Sequence, residues 1–128
     1  MEAFDHTVVS RKSFDEAVEA VVAESKKRGF GVLQIHDVQN TLAGKGFPRG
    51  PLKIIEICHP GYAARVLDAD IKASLMLPCP ISVYVENGRT VISAMRPKAI
   101  AGFFPGAGIE SLAAEVDAII VEIVDRAA

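Results

Sequence analysis

Two short stretches concentrate the side chains that could do chemistry. LKIIEICHPG (Leu52 to Gly61) carries Glu56, Cys58 and His59 in four positions at the end of an otherwise apolar run. LPCP (Leu77 to Pro80) places Cys79 between two prolines. A cysteine acts as nucleophile or sulfur acceptor only as its thiolate, so Cys58 needs a nearby cation. Glu56 would instead raise its pKa, and a buried cysteine is ordinarily inert packing. Cys79 opens onto a strand and can approach a helix N-terminus or a dimer partner. If the strands that carry the two cysteines run parallel, they lie at opposite strand ends and cannot bridge.

Metal chemistry needs spacing as well as residue types. His36, His59, Glu56 and Cys58 are ligand types, yet the chain has no C-x-x-C and no H-x-x-x-H. No metal site is expected, and the sequence leaves any bound cofactor unknown. GKGFPRG (Gly44 to Gly50) contributes Lys45 and Arg49 among glycines, which suits either an anion held by backbone N–H groups or a surface loop. AGFFPGAG (Ala101 to Gly108) sets Phe103 and Phe104 between flexible residues. These rings can close a pocket, clasp a dimer, or tuck beneath the last helix.

Those residues must be positioned by regular elements. FDHTVV (Phe4 to Val9) predicts a first strand. Ser13 and Glu16 form a capping box, and Phe14, Ala17, Val18, Val21 and Val22 follow as one helical stripe, ended by Gly29. FGVLQIHD (Phe30 to Asp37) and LKIIEICH (Leu52 to His59) are strands. Asp37 can cap a short helix, and Pro60 suits the first turn of another. PISVYVENGRTVISAM (Pro80 to Met95) is a hairpin turning at Asn87-Gly88. From Ile109 onward the apolar spacing predicts a long amphipathic helix. The order is β-α-β-(α)-β-α-β-β-α, an α/β (α+β) fold with a mixed sheet of about five strands and helices on one face.

Alternate strand residues point to opposite faces. Leu33, Ile35, Ile55, Ile57, Ile81, Val83 and Val85 form a purely aliphatic set that must lie beneath the helices. Val32, Gln34, His36, Ile54, Glu56, Cys58, Ser82, Tyr84 and Glu86 form a mixed set. Cys58 and Glu56 thus belong to the mixed face, whereas His59 points the other way or caps the following helix. A mixed face of this kind suits a dimer interface, a small-ligand pocket, or both, and His36, Glu56, Cys58 and Tyr84 are expected to share one concavity there.

Composition narrows the classes. The 128 residues make one domain, 1–128. Half are hydrophobic and none is Trp, so Ala, Val, Ile and Leu must build the core. Fourteen basic against sixteen acidic residues leave a net charge of −2, which argues against a nucleic-acid partner. The basic cluster Lys26-Lys27-Arg28 sits where a helix end favours cations. AIIVEIV (Ala118 to Val124) is too short to span a bilayer and contains Glu122. The acidic MEAFDH start lacks the features of a signal peptide, so the expected location is cytoplasmic, with no membrane partner.

GFGVLQIHDVQNTLAGKGF, LKIIEICHPGYAARVL and LMLPCPISVYVENG together resemble the family named domain of unknown function 302. The resemblance covers Phe14 to Pro97 and rests on an E-x-C-[N/H]-P-like strand end and an L-P-C before a Val-rich strand. His59 stands where that family commonly has Asn. The resemblance implies a compact α/β domain that forms homodimers and a link to sulfur metabolism, but no activity. The functional expectation is a dimeric binding module for a small ligand, anionic or sulfur-containing. The alternatives are a thiol-dependent enzyme or sulfur carrier using Cys58 or Cys79, and a protein whose role is association with a partner.

Overall fold

The structure is a computed structural model that describes residues 3–106 and 108–128. Met1 and Glu2 of the acidic start, and Ala107 of the Gly-Pro run, lie outside the described residues. The chain order is β1 (Asp5–Ser10), α1 (Phe14–Lys27), β2 (Gly31–Asp37), α2 (Val38–Ala43), β3 (Leu52–Cys58) and α3 (Pro60–Ala69). A 3-10 segment (Ile71–Met76) then leads to β4 (Cys79–Glu86), β5 (Arg89–Met95), α4 (Pro97–Ile100), a 3-10 turn (Ala101–Phe103) and α5 (Glu110–Ala127).

Local chemistry accounts for most boundaries. The Ser13 hydroxyl accepts from the Glu16 amide while the Glu16 carboxylate accepts from the Ser13 amide, which completes the capping box of α1. Gly29, at φ +78°, takes the left-handed position that ends this helix. Asp37 caps α2 through the Asn40 amide at 3.0 Å. Asn87 and Gly88 have φ of 53° and 75°, as a type I′ turn requires.

The five strands form one sheet in the order β1-β5-β4-β3-β2, and every neighbouring pair is antiparallel. Cys79 pairs with Ile57 across β3 and β4, so Cys58 and Cys79 lie at the same end of the sheet. The parallel arrangement that would have separated them does not arise. The 20-residue return through α3 leads back to the end it left instead of crossing the sheet.

Helices α1 and α5 cover one face. Ile55, Ile57, Ile81, Val83 and Ile92 meet Ala17 and Val21 of α1 and Ile120, Ile123 and Val124 of α5, all of them buried. Burying such a branched side chain contributes about 1.5–3 kcal/mol. Arg28 ties the two helices together, reaching Glu24 at 2.8 Å and Glu122 at 2.9 Å. The basic cluster therefore acts in part as an interhelical clasp. Arg96 holds Asp117, buried in α5, with bonds of 3.2 and 2.7 Å, and the Lys98 amide donates to the same carboxylate. That fastens the start of α4 to α5.

One face assignment is corrected in β2. Val32 pairs with Ile57 and Gln34 with Glu56, so the register shifts between them and Leu33 is the extra residue of a bulge. Val32 joins the helix-side core, while Leu33 is 62% exposed. Ile35 pairs with Ile55 on the helix side but remains 41% exposed, because β2 is a sheet edge.

Candidate functional site

Two concavities lie on opposite sides of the sheet, and the sequence-derived candidates divide between them. On the helix side, a cavity of about 80 Å³ sits at the sheet end where β3 stops and β4 begins. Cys58, His59, Cys79 and Phe104 border it, together with Met76 and Met95. Among the described residues no Asp, Glu, Lys or Arg side chain lines it.

His59 occupies the cap of α3, one of the two roles its position allowed. Its Nδ1 accepts from the Tyr62 amide at 3.3 Å, which leaves the ring proton on Nε2. The ring meets Phe30 edge-on at 5.4 Å and lies 4.5 Å from the Tyr62 ring. Gly29 and Gly61 make room for it: a Cβ at either would stand 3.3 Å from the imidazole. The Tyr62 hydroxyl donates to Glu115 of α5 at 2.8 Å, so α3 is tied to the last helix beside the cavity.

Alternation places Cys58 on the outer face, but the strand ends at this residue and Cys58 borders the helix-side cavity. Burial raises its thiol pKa. Burial, and secondarily the neighbouring Cys58, push Cys79 up to about 11. Both cysteines are therefore neutral thiols at physiological pH, poorly suited to nucleophilic attack. Among the described residues no three His, Cys, Asp or Glu side chains cluster as a metal site would.

The outer face holds the remaining candidates. His36 Nε2 lies 3.2 Å from Glu56 Oε1, and both side chains are part-exposed. Tyr84 stands in a separate groove of about 430 Å³ with Phe4, Thr7, Pro80, Ser82 and Ser93. The Ser93 hydroxyl is 2.8 Å from both the Tyr84 and the Thr7 hydroxyls. The expected single concavity of His36, Glu56, Cys58 and Tyr84 is thus divided. His36 and Glu56 form a pair, Tyr84 lines the groove, and Cys58, at the end of β3, borders the opposite cavity.

Lys45 and Arg49 are exposed in the loop after α2 and border neither concavity. Of the two phenyl rings, Phe104 tucks against Ala101, Ile109 and Ala113, while Phe103 is 71% exposed. Met76 and Met95 were not anticipated as lining residues. The one sequence signal near Met76 was its place just before the L-P-C motif.

Comparison with known proteins gives consistent results. The family model described as "Domain of unknown function DUF302" matches residues 6–127. Among solved structures, the chain is similar to the crystal structure of the uncharacterized conserved protein DUF302 from Bacillus stearothermophilus. The identity is 32%, covering 99% of this chain and 100% of that one, with a TM-score of 0.94. No curated protein matches the chain. Among the described residues no helix is long and apolar enough to cross a membrane.

Proposed function

The chain belongs to the DUF302 family, and from that premise we propose that it is a binding module for a small apolar ligand held in the helix-side cavity. The observation that carries this reading is the lining itself. Side chains from the ends of β3 and β4, from α3 and from α5 converge on one space without a charged group among them. Ligand sites combine apolar walls with a few directed polar groups, and here the polar marks are two thiols and one imidazole. An anionic ligand loses support, since no cation lines the cavity. A sulfur-containing ligand keeps it, because thioethers are soft and largely apolar. Thiol catalysis is the weaker reading, since burial holds both cysteines protonated.

Native mass spectrometry of freshly purified protein is the test. A retained small-molecule adduct is expected, surviving in Cys58→Ala and Cys79→Ala and lost in Ala63→Leu, which fills the cavity from α3. An adduct that disappears with either cysteine would favour thiol chemistry. A bare protein that also fails to take up 1-butanol would end the ligand reading.

We also propose that the chain forms a homodimer through the sheet face opposite α1 and α5. Phe4 and Val9, at the β1 edge of this sheet, are 69% and 52% exposed, more apolar surface than a solvated sheet needs. Sedimentation at micromolar concentration should give twice 13.7 kDa, and a clean monomer would defeat the proposal.

A further inference from the structure

We infer that the ligand carries a linear hydrocarbon chain, with its tip in the helix-side cavity and its remainder lying across Ile71, Leu75 and Phe103 at the cavity rim. This rests on the binding reading above and names the class of ligand. The first argument is size. Small-molecule pockets usually hold about 300–1,000 Å³, and this cavity holds about 80 Å³. At about 10–15 Å³ of such space for each water-sized group, that is room for roughly five to eight of them, about one butanol molecule. A ligand larger than that must therefore extend through the mouth.

The second argument is the outer side of the segments that wall the cavity. The 3-10 segment Ile71–Met76 lends Ala73 and Met76 to the lining and turns Ile71 and Leu75 outward, 70% and 82% exposed. The 3-10 turn Ala101–Phe103 lends Ala101 and turns Phe103 outward, 71% exposed. Three of the eight large exposed hydrophobics among the described residues thus fall on these nine positions. The segments that wall the apolar interior thus also carry exposed apolar surface. Chain methylenes match both, and a polar or charged ligand body matches neither.

The test is an NMR titration with 1-butanol, 1-hexanol, 1-octanol and octanoate, on the full chain and on Leu75→Ser and Phe103→Ser. Both side chains are exposed, so the variants should fold, which circular dichroism checks. Affinity is expected to rise about fourfold per added methylene beyond butanol. The two variants should weaken 1-octanol about tenfold and leave 1-butanol unchanged. Octanoate reports the head group: binding within a few-fold of 1-octanol supports recognition of the chain. Octanoate binding while no alcohol does would overturn it. Affinity that levels off at butanol, with the variants equal to the parent, would remove the rim from the site while leaving the cavity reading intact. No binding by any alcohol would overturn both. Variants that change sedimentation but not alcohol binding would make the rim an interface between proteins and overturn the inference.

Discussion

Raising the pH should loosen this fold through one thiol. Cys79 opens β4 opposite Ile57, against the core, and its ionisation is pushed up to about 11 by burial first and by Cys58 second. In an unfolded chain a thiol titrates near 8.5. Between those two values the unfolded state gives up its proton while the folded state keeps it. The folded state then binds more protons, so stability falls as pH rises. The contribution is fully present below about pH 8.5 and is gone above about 11. At about 1.4 kcal/mol per pH unit, the loss at pH 10.5 comes to about 2.5 kcal/mol, against a total of about 5–15 kcal/mol for a domain of this kind. Urea unfolding at pH 7.5, 9 and 10.5 measures it. Lysines and tyrosines titrate in the same range, and Tyr62 is itself raised by its bond to Glu115, so the informative quantity is a difference. The parent chain should lose about 2.5 kcal/mol more than Cys79→Ala between pH 7.5 and 10.5. At pH 8 the folded protein should carry about 200-fold less Cys79 thiolate than a free thiol, and iodoacetamide should label it correspondingly slowly. Parallel pH profiles for the two proteins, or labelling at the free-thiol rate, would refute the reasoning.

Two further outcomes test the frame around the cavity. Val32→Asp should be severely destabilising, since it sets a carboxylate against Ile57, while Leu33→Asp should stay within about 0.5 kcal/mol of the parent. Equal urea midpoints for these two variants would contradict the bulge. Asp117→Ala should cost about 3 kcal/mol, because it breaks the buried half of the ion pair that fastens α4 to α5. A loss below about 1 kcal/mol in the same urea measurement would show that the pair contributes no more than a surface one.

Much of the frame was legible because its signals are local. The Ser13–Glu16 box, Gly29, Pro60 and Asn87-Gly88 each act within a few residues, and each stands where its chemistry placed it. The facing of β3 and β4 followed from alternation, because those strands pair without interruption. In β2 a single extra residue at Leu33 defeats parity, and no glycine marks the bulge. The cavity was harder to read, since it is walled at the sheet end by Ile71–Leu77 and Pro97–Phe104, segments too short for a period to declare their inner side. Strand direction was also open, since a 20-residue connection between β3 and β4 suits either sense. Cys58 and Cys79 could be recognised as chemically capable, but their proximity depended on that direction.

The place of β1 in the sheet has a kinetic consequence. β1 precedes the other four strands along the chain, yet among the described residues it pairs with β5 alone, so Ser10 waits for Thr90 and Asp5 for Met95. Strands β2 to β5 lie next to one another in chain order and can assemble as each emerges. The two ends of the β1–β5 pairing are about 80–90 positions apart along the chain. Closing so long a loop is entropically costly and rewards the chain only after β4 and β5 have formed their hairpin. Until then β1 remains an unpaired strand tethered through α1. The half-built sheet keeps an open β5 edge able to accept a β1 from another copy, which makes strand exchange the characteristic misassembly of this topology.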